Sequence, residues 1–546
     1  MHEHTANVVD VDGRRVFWGR VTWEAGVISS VTELGGERPG LPAVMPGFVD
    51  AHLHIESSLL PPRELGRLAV RHGTVACVAD PHEIANVLGA PGVQQMLEDA
   101  RSSPLVFAFG APSCVPATRF ESAGAALGPE EVRALLAEPG VRFLSEVMNF
   151  PGVLSKDPGI MAKLAAAMAR GLPIDGHAPG LRGAAARAYT EAGISTDHEA
   201  TTLDEATEKL ALGMKILIRE GSAARSFEAL HPLISTHPGQ VMLCSDDKHP
   251  DDLARGHINV LVARAVAHGH SVFDAVRAAS LVPQDHYGLA LGRLRPGDPL
   301  TAVEVRDLSS FEAQRVWIRG QLVAQGGAAL SPFVRPAIAN RFDAEPIDER
   351  ALELEARGEL VRVMVARDGE LFTDEEVRPA RVEAGLVRAE PEADVLWLAN
   401  LSRYERAARP AVALVRGFGL RRGALASSVA HDSHNVVAVG VDGASLARAM
   451  NAVILARGGF AVVDGEAVEL LSLPLAGLMS DLEGDVVVAR YVALDRAAKA
   501  LGSSLRAPFM TLSFMALLVI PRLKLSDRGL FDGVSFAFTD VSFSRG

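Results

Sequence analysis

The sequence predicts an α/β protein: a (β/α)8 TIM-like barrel with a discontinuous small β domain and a C-terminal α+β domain. Its 546 residues exceed the roughly 250 to 300 at which one hydrophobic core stops growing, so two or three folded units are expected. Eight short apolar runs recur between residues 44 and 247, separated mostly by helical stretches rich in Ala, Leu, Arg and Glu. Polar, catalytic-type residues stand at the ends of these runs, where barrel strands deliver chemistry.

The eight runs are the predicted barrel strands, and the barrel is expected to span residues 46–292. In chain order they are VMPGFVDAHLHI, GTVACVADP, LVFAFGAPS, VRFLSEVMNF, LPIDGHAP, GISTDHEA, MKILIRE and VMLCSDD. A strand, a polar residue and a helix, repeated eight times, is the sequence form of a closed parallel barrel.

The segments before and after the barrel have a different pattern of apolar and polar residues. Residues 5–45 alternate apolar and polar positions in short runs split by Gly and Asp, which is typical of antiparallel strands. The pattern returns at the end of the barrel, so residues 1–45 and 293–335 are predicted to form one small β-sandwich domain. A Pro-containing connection marks a boundary near residue 340, and residues 340–546 mix strand and helix patterns as a separate α+β domain.

The composition excludes several classes of protein. A net charge of -13 and a pI of about 5.7 argue against a nucleic-acid partner, which would need a basic surface. The N-terminus lacks the basic and apolar regions of a secretory signal, and the longest apolar run, residues 511–521, is shorter than the roughly 18 residues of a membrane span. Three scattered cysteines do not form a disulfide framework, which fits a reducing cytoplasm.

The first barrel run ends in His52-Leu53-His54. Alternate residues of a strand share a face, so both imidazoles can point at one metal ion. The pattern is weak by itself, because two histidines at this spacing also occur by chance; His2 and His4 are such a pair, and we assign them to a disordered tail.

Four more ligand-type residues strengthen the metal hypothesis. They end the fourth, fifth, sixth and eighth runs, and are Glu146, His177, His198 and Asp246. Any single one is equally well explained as a hydrogen-bonded polar residue at a strand end, but six such residues in barrel order are poorly explained in that way. Six ligands are too many for one open catalytic ion, so the set favours two divalent ions with a shared carboxylate.

Ten motifs resemble the adenine deaminases of the amidohydrolase superfamily in order and spacing. The first, PGFVDAHLHIESS, is similar to the first-strand signature of the superfamily, and the others narrow the resemblance over nearly the whole chain. The motifs occupy residues 46–58, 79–89, 111–118, 146–153, 175–181, 196–202, 219–225, 245–253, 430–435 and 473–481.

The resemblance implies hydrolytic deamination of adenine to hypoxanthine and ammonia, a reaction of purine salvage, by a metal-activated hydroxide. It further implies that His52, His54 and Asp246 hold one ion, that His177 and His198 hold the other, and that Glu146 bridges them. Mn²⁺ is the expected metal, with Fe²⁺ and Zn²⁺ as alternatives. The chain departs from the family at two positions: Ala200 stands where a cysteine is usual, and Ser145 where a glycine is common. Neither is a ligand type, so we expect activity with a changed pocket shape.

Candidate catalytic roles follow from the reaction. Asp246 is expected to take the proton of the attacking water and deliver it to the leaving amine. Glu83 is the candidate proton donor to the purine ring, with Glu146 as the alternative; equally, Glu83 is simply the first-turn acid of a helix. Asp247 is expected to accept a hydrogen bond from the imidazole edge of the purine. His82 and Asn86 either contact the base or support the ligands.

Several other polar residues are open to plainer interpretations. His431, Asp432 and His434 resemble ligands, but a hydrogen-bonded loop start is favoured over a lid or an additional metal contact. His249 and His257 are expected to brace the segment after the eighth strand. Salt bridges in a loop are expected for Arg219 and Arg225.

Two competing functions remain at this point. One is another amidohydrolase reaction on the same two-metal site, either a different 6-aminopurine deaminase or a cyclic amide hydrolase, because one scaffold hosts many chemistries. The other is an inactive purine-binding homologue, which would be expected to lack a ligand, whereas all six are present. The small-molecule substrate is expected to be adenine, with no nucleic-acid or membrane partner, and the chain is expected to form a homo-oligomer.

Overall fold

The chain begins with a sheet of mainly antiparallel strands. The computed structural model describes residues 1–545, and its first four strands are β1 (His2–Asp10), β2 (Arg15–Glu24), β3 (Val27–Gly36) and β4 (Ala43–Pro46). Strand β1 pairs with β2 from His2 onwards, so the prediction of a disordered tail is wrong. The ring of His4 lies 5.1 Å from that of Trp317, and its Nε2 contacts Glu304. This pair therefore belongs to the sheet, far along the chain from the other histidines.

Eight parallel strands follow and close into a barrel. Neighbouring strands pair in sequence order, and main-chain hydrogen bonds close the two gaps, from Ser195 to the carbonyl of Ile174 (2.9 Å) and from Asp246 to that of His52 (2.9 Å). The predicted (β/α)8 barrel is thereby confirmed. Its strands are β5 (Phe48–Leu53), β6 (Thr74–Ala79), β7 (Val106–Ala111), β8 (Val141–Val147), β9 (Ile174–Gly176), β10 (Thr196–Asp197), β11 (Lys215–Arg219) and β12 (Val241–Cys244).

Helices connect the barrel strands. Several begin with proline in the first turn, where the missing N–H has no intrahelical partner to lose. The α-helices are α1 (Pro62–Ala69), α2 (His82–Leu88), α3 (Ala90–Ala100), α4 (Pro129–Leu135), α5 (Phe150–Leu154), α6 (Pro158–Met168), α7 (Gly183–Glu191), α8 (Leu203–Ala211), α9 (Phe227–Leu230), α10 (Leu233–Thr236), α11 (Pro250–Arg255), α12 (Ile258–Ala267), α13 (Val272–Val276) and α14 (Val282–His286).

After the barrel the chain returns to the first sheet. Four strands, β13 (Ala302–Val305), β14 (Ala313–Ile318), β15 (Gln321–Gln325) and β16 (Ala328–Ala329), extend it to eight strands in the order β16-β15-β14-β13-β4-β1-β2-β3. Strand β13 pairs with β4, so segments on both sides of the barrel share one sheet. The domain boundaries given above stay predictions.

The remaining chain forms a second large sheet with its own helices. A nine-stranded sheet runs in the order β18-β17-β22-β21-β24-β23-β25-β26, and β30 pairs with β17. The strands of this part of the chain are β17 (Leu360–Val365), β18 (Asp374–Pro379), β19 (Val382–Glu383), β20 (Leu386–Val387), β21 (Leu396–Leu401), β22 (Ala411–Arg416), β23 (Ala424–Ser427), β24 (Val436–Gly440), β25 (Gly459–Asp464), β26 (Ala467–Ser472), β27 (Leu523–Ser526), β28 (Gly529–Asp532), β29 (Ala537–Phe538) and β30 (Ser542–Phe543). Of these, β19 and β20 form a separate pair, and β27, β28 and β29 form a separate three-stranded sheet. The helices are α15 (Gly443–Ala456), α16 (Gly484–Ala500) and α17 (Pro508–Phe514).

One loop of this sheet reaches the barrel. We call residues 428–435, between the neighbouring strands β23 and β24, the C-terminal loop. The Asn435 side chain donates to the carbonyl of Ser122 in the barrel (2.9 Å), and the main chain of Ser480 donates to the carbonyl of Leu59 (2.8 Å). The loop is therefore fixed against the barrel at its C-terminal rim. Among residues 1–545, no helix has both the length and the apolar composition needed to cross a membrane.

Candidate active site

The structure brings all six predicted ligand-type residues together in the barrel. Two lie on β5 or just after it, one lies on β8, two directly follow β9 and β10, and one lies two residues after β12; all are buried, and they are His52, His54, Glu146, His177, His198 and Asp246. Parallel strands place their carboxyl ends at one edge, which is why residues up to 194 positions apart meet here. Asp246 adopts a left-handed backbone (φ 54°), a conformation that Asp takes more readily than most residues.

Glu146 lies between two groups of imidazoles. Its Oε1 is 3.5 Å from Nε2 of His54, while its Oε2 is 2.9 Å from Nδ1 of His177 and 3.1 Å from Nε2 of His198. One oxygen therefore faces each group. This arrangement suits a carboxylate that spans two cations.

The two carboxylate oxygens of Asp246 also face different groups. Its Oδ1 lies 3.1 Å from Nε2 of His54 and 3.6 Å from Nε2 of His52, whereas its Oδ2 accepts a 2.7 Å hydrogen bond from Arg219. Arg219 also donates twice to Glu199, at 2.6 and 3.0 Å. It is buried, so it fixes the carboxylate from behind and leaves one oxygen towards the histidines.

The donor set fits divalent metal ions. Both ring nitrogens of His52 and Nε2 of His177 are buried without a hydrogen-bond partner among the described residues, which is costly unless another group satisfies them. Nδ1 of His54 lies 3.2 Å from the carbonyl of Asp80; donation to that oxygen leaves Nε2 free as a ligand. The nitrogen and oxygen donors suit Mn²⁺, Fe²⁺ or Zn²⁺.

Charge pairing keeps the two shared carboxylates ionised. Burial opposes ionisation of Glu146, but His177 and His198 outweigh it and hold its pKa well below the usual value. For Asp246 burial again acts in the opposite direction, and Arg219 with the neighbouring histidines holds the pKa well below the usual value. Both residues are therefore anionic at neutral pH, as ligands and a general base need to be.

The C-terminal loop supplies two histidines to Glu83. Nδ1 of His431 and Nε2 of His434 contact the two oxygens of this carboxylate, and all three residues are buried. Burial raises the pKa of Glu83, but the histidines outweigh it and the pKa lies well below the usual value. Burial lowers the pKa of His431, yet Glu83 and Asp247 raise it to about 9. The expected hydrogen-bonded loop start is present as well, because Nδ1 of His434 accepts from the main chain of Ala430 (3.2 Å).

The three residues predicted to contact the substrate differ in their position relative to the pocket. Asp247 lines the pocket, where the Ser57 hydroxyl donates to it. His82 also lines it, with Nδ1 3.2 Å from Asp80 and 3.5 Å from Glu146. Asn86 is not among the lining residues, because its amide donates back to the carbonyl of His82 (3.0 Å) within α2. Of the two roles left open for Asn86, this contact favours support of the neighbouring residues over contact with the base.

Sequence reasoning did not single out Glu199 or Asp80, and it expected the salt bridges of Arg219 to lie in a loop. Arg219 pairs with Asp246 in the barrel interior instead of bracing a loop, and Asp80 orients His54 and His82. Arg219 is the last residue of β11 and Asp80 directly follows β6, so treating every residue at a strand end as a candidate would have found both. The expected bracing by His257 holds at β5, where its Nε2 contacts Asp50 at 2.7 Å.

The pocket is enclosed by both large parts of the chain. Barrel residues form its floor and walls, while Leu371, His431, Asp432 and Leu517 contribute from the C-terminal part. A closed parallel barrel with imidazoles and carboxylates converging at its C-terminal rim defines a metal-dependent hydrolase.

Comparison with known proteins narrows this class. Residues 43–323 match the amidohydrolase family, and residues 370–537 match the adenine deaminase C-terminal domain. Adenine deaminases of Salinibacter ruber and Sulfurovum sp. are each 52% identical to this chain over 98% of its length, covering 97% and 99% of those proteins. The adenine deaminase of Parabacteroides distasonis is 45% identical over 98% of both chains. The chain therefore belongs to the adenine deaminases of the amidohydrolase family, and that family binds divalent metal ions.

Proposed function

We propose that the enzyme converts adenine and water to hypoxanthine and ammonia, a reaction of purine salvage. The observation that carries this proposal is similarity to adenine deaminases over 98% of the chain, including the C-terminal part that closes the pocket. The buried cluster at the barrel rim supports it, because hydrolytic deamination needs an activated water and a base beside it.

Two divalent ions fit the cluster. His52, His54 and Asp246 would hold one ion and His177 and His198 the other, and Glu146 would serve as a ligand to both. When bound, such ions lower the pKa of water from 15.7 to about 7 and so supply a nucleophile at neutral pH. Mn²⁺ is the proposed metal, with Fe²⁺ and Zn²⁺ as alternatives.

Asp246 is the proposed general base and acid. Its Oδ1 faces the histidines while Arg219 holds Oδ2, so the carboxylate cannot rotate away from the reacting centre. It takes a proton from the attacking water and returns it to the departing amine. Glu199 keeps Arg219 in place with two hydrogen bonds.

Glu83 with His431 is the proposed source of the proton for the purine ring. Nδ1 of the imidazole is in direct contact with the carboxylate, and both residues line the pocket. Glu146 is less suited to this role, because three imidazoles surround its oxygens. Asp247 is the proposed acceptor for the N–H of the purine imidazole edge.

Ammonia release tests the proposed function. Protein stripped of metal and reloaded with Mn²⁺ is assayed with adenine, adenosine and a cyclic amide, and metal content is measured in parallel. Turnover of adenine that depends on metal is expected. Turnover of the cyclic amide or adenosine instead, with two metals bound, would retain the amidohydrolase class and replace the substrate.

We further propose a homo-oligomer in the cytoplasm that acts without a nucleic-acid or membrane partner. Exposed Phe536 and Phe538 in the C-terminal part offer apolar surface for self-association, and the three cysteines are unpaired and buried. Light scattering of the holoenzyme at working concentration tests the assembly; a mass of one chain would exclude it.

A further inference from the structure

His431 presents an unused nitrogen to the pocket. It is 3% exposed, it lines the pocket, and its Nε2 has no hydrogen-bond partner among residues 1–545. An unpaired buried polar nitrogen costs about 1 to 3 kcal/mol unless a ligand or water satisfies it. A group that binds in the pocket is therefore the natural partner of this atom.

The orientation of the ring is fixed from the other side. Nδ1 contacts Glu83, and a carboxylate that only accepts requires Nδ1 to carry a proton. The main chain of His431 donates to the Ser513 hydroxyl (3.2 Å), and Phe514 packs 5.4 Å from the ring. Nε2 is consequently held in place rather than free to turn away.

An acceptor stands beside this nitrogen. Oδ1 of Asp247 lies 3.5 Å from Nε2 of His431, and the negative charge favours a proton on Nε2. The pocket thus offers a donor and an acceptor side by side. Planar bases are recognised by such pairs, in which one side chain donates to a ring nitrogen and another accepts an N–H.

We propose that His431 is a substrate-binding residue that donates from Nε2 to the purine ring nitrogen N3, while Asp247 accepts the N–H at position 9. This inference rests on the proposed function and deepens it, because it names the edge of the base that is read. A nucleoside carries a sugar at position 9 and has no N–H there. Asp247 at the barrel rim therefore selects a free base, and His431 of the C-terminal loop reads the ring nitrogen beside it.

Two substitutions separate binding from positioning. His431→Asn keeps a donor near the position of Nδ1, towards Glu83, and removes the pocket-facing donor. His431→Gln keeps a donor near Nε2 and removes the one towards Glu83. Each variant is assayed with adenine and with 3-deazaadenine, in which C–H replaces N3. His237→Asn, at a surface histidine that contacts Thr236, is the matched control.

Wild-type enzyme is expected to favour adenine over 3-deazaadenine by roughly 10- to 100-fold in kcat/KM, the value of one hydrogen bond to a charged group. His431→Asn is expected to lose that preference while keeping its metal content, and His431→Gln to retain part of it. Calorimetric binding of hypoxanthine and 3-deazahypoxanthine gives the same comparison without turnover. His237→Asn should match the wild type throughout.

Unchanged preference in His431→Asn would overturn the proposal, as would greater loss in His431→Gln than in His431→Asn, which would indicate a role only through Glu83. Wild-type protein that binds hypoxanthine but does not deaminate adenine would contradict the proposed function alone, and the binding comparison would still decide the role of His431. Absence of any purine binding would overturn both.

Discussion

The two large sheets flank the same barrel, but only one of them enters the active site. In the eight-stranded sheet the polar group formed by His4, Glu304 and Arg315 stays within the sheet, where Glu304 contacts both partners. In the nine-stranded sheet the C-terminal loop places His431 and His434 on Glu83 of the barrel. Within residues 1–545, the eight-stranded sheet contributes no residue to the pocket lining, whereas the part of the chain with the nine-stranded sheet supplies residues that line it.

The difference lies in how a loop leaves each sheet. The C-terminal loop is anchored towards its second end: the Tyr404 hydroxyl donates to the carbonyl of Ser433 (2.6 Å), and the main chain of Arg403 donates to the side chain of Asn435 (3.2 Å). Asn435 in turn donates to barrel residue Ser122. A buried, tethered loop can hold catalytic geometry, whereas most loops lie on the surface and move.

The largest effect on activity is expected within the barrel itself. Asp246→Asn removes the charge that accepts a proton and should lower kcat by about 10² to 10⁴, the range for a general base. Ammonia release and metal content are measured together. A variant that keeps both metals and more than a tenth of wild-type kcat would contradict the role of Asp246.

The second effect tests the link between the sheets and the site. Glu83→Gln removes the carboxylate held by His431 and His434 and should reduce kcat by about 10²-fold if it delivers the ring proton. Glu304→Gln makes the same change at a buried carboxylate of the eight-stranded sheet and should alter kcat less than about twofold. Equal losses in the two variants would break the comparison between the sheets.

A smaller effect is expected at the anchor of the C-terminal loop. Tyr404→Phe removes one buried hydrogen bond to Ser433 and should lower the free energy of unfolding by about 1 kcal/mol. Since the loop then holds His431 less firmly, kcat/KM for adenine should fall a few-fold. Urea denaturation and steady-state kinetics measure the two effects; lost stability with unchanged kcat/KM would show that the anchor serves folding alone.

The smallest expected effect is on the pH dependence of the free energy of unfolding and does not involve activity. Burial, and then the charge of Asp432, raises the pKa of Glu121 from 4.5 to about 8. The folded state therefore binds this proton more tightly than the unfolded state, so its contribution is complete below pH 4.5 and is lost as pH rises through about 8. Between these values Glu121→Gln should remove up to about 1.4 kcal/mol of downward slope per pH unit. Urea denaturation at several pH values checks this; parallel curves would refute it.

The sequence predicts features that depend on residues close together along the chain. Strand ends appear in the sequence as apolar runs followed by polar residues, so the barrel and its six ligand-type residues were accessible without coordinates. Arg219 and Glu199 were less accessible, because their pairing depends on how two neighbouring strand ends face each other. The contact between His431 and Glu83 spans 348 positions and two parts of the chain, and no spacing rule connects them.

The hydrogen bond from Asp246 to the carbonyl of His52 joins the last barrel strand to the first. During synthesis, residue 246 follows residue 52 by 194 positions, which at about 5 to 20 residues per second is roughly 10 to 40 s. His52 and His54 therefore emerge long before Asp246, and the site proposed for these three residues is complete only after the last barrel strand has been made. Binding of the ion proposed for this site is therefore a late step of synthesis that is coupled to closure of the barrel.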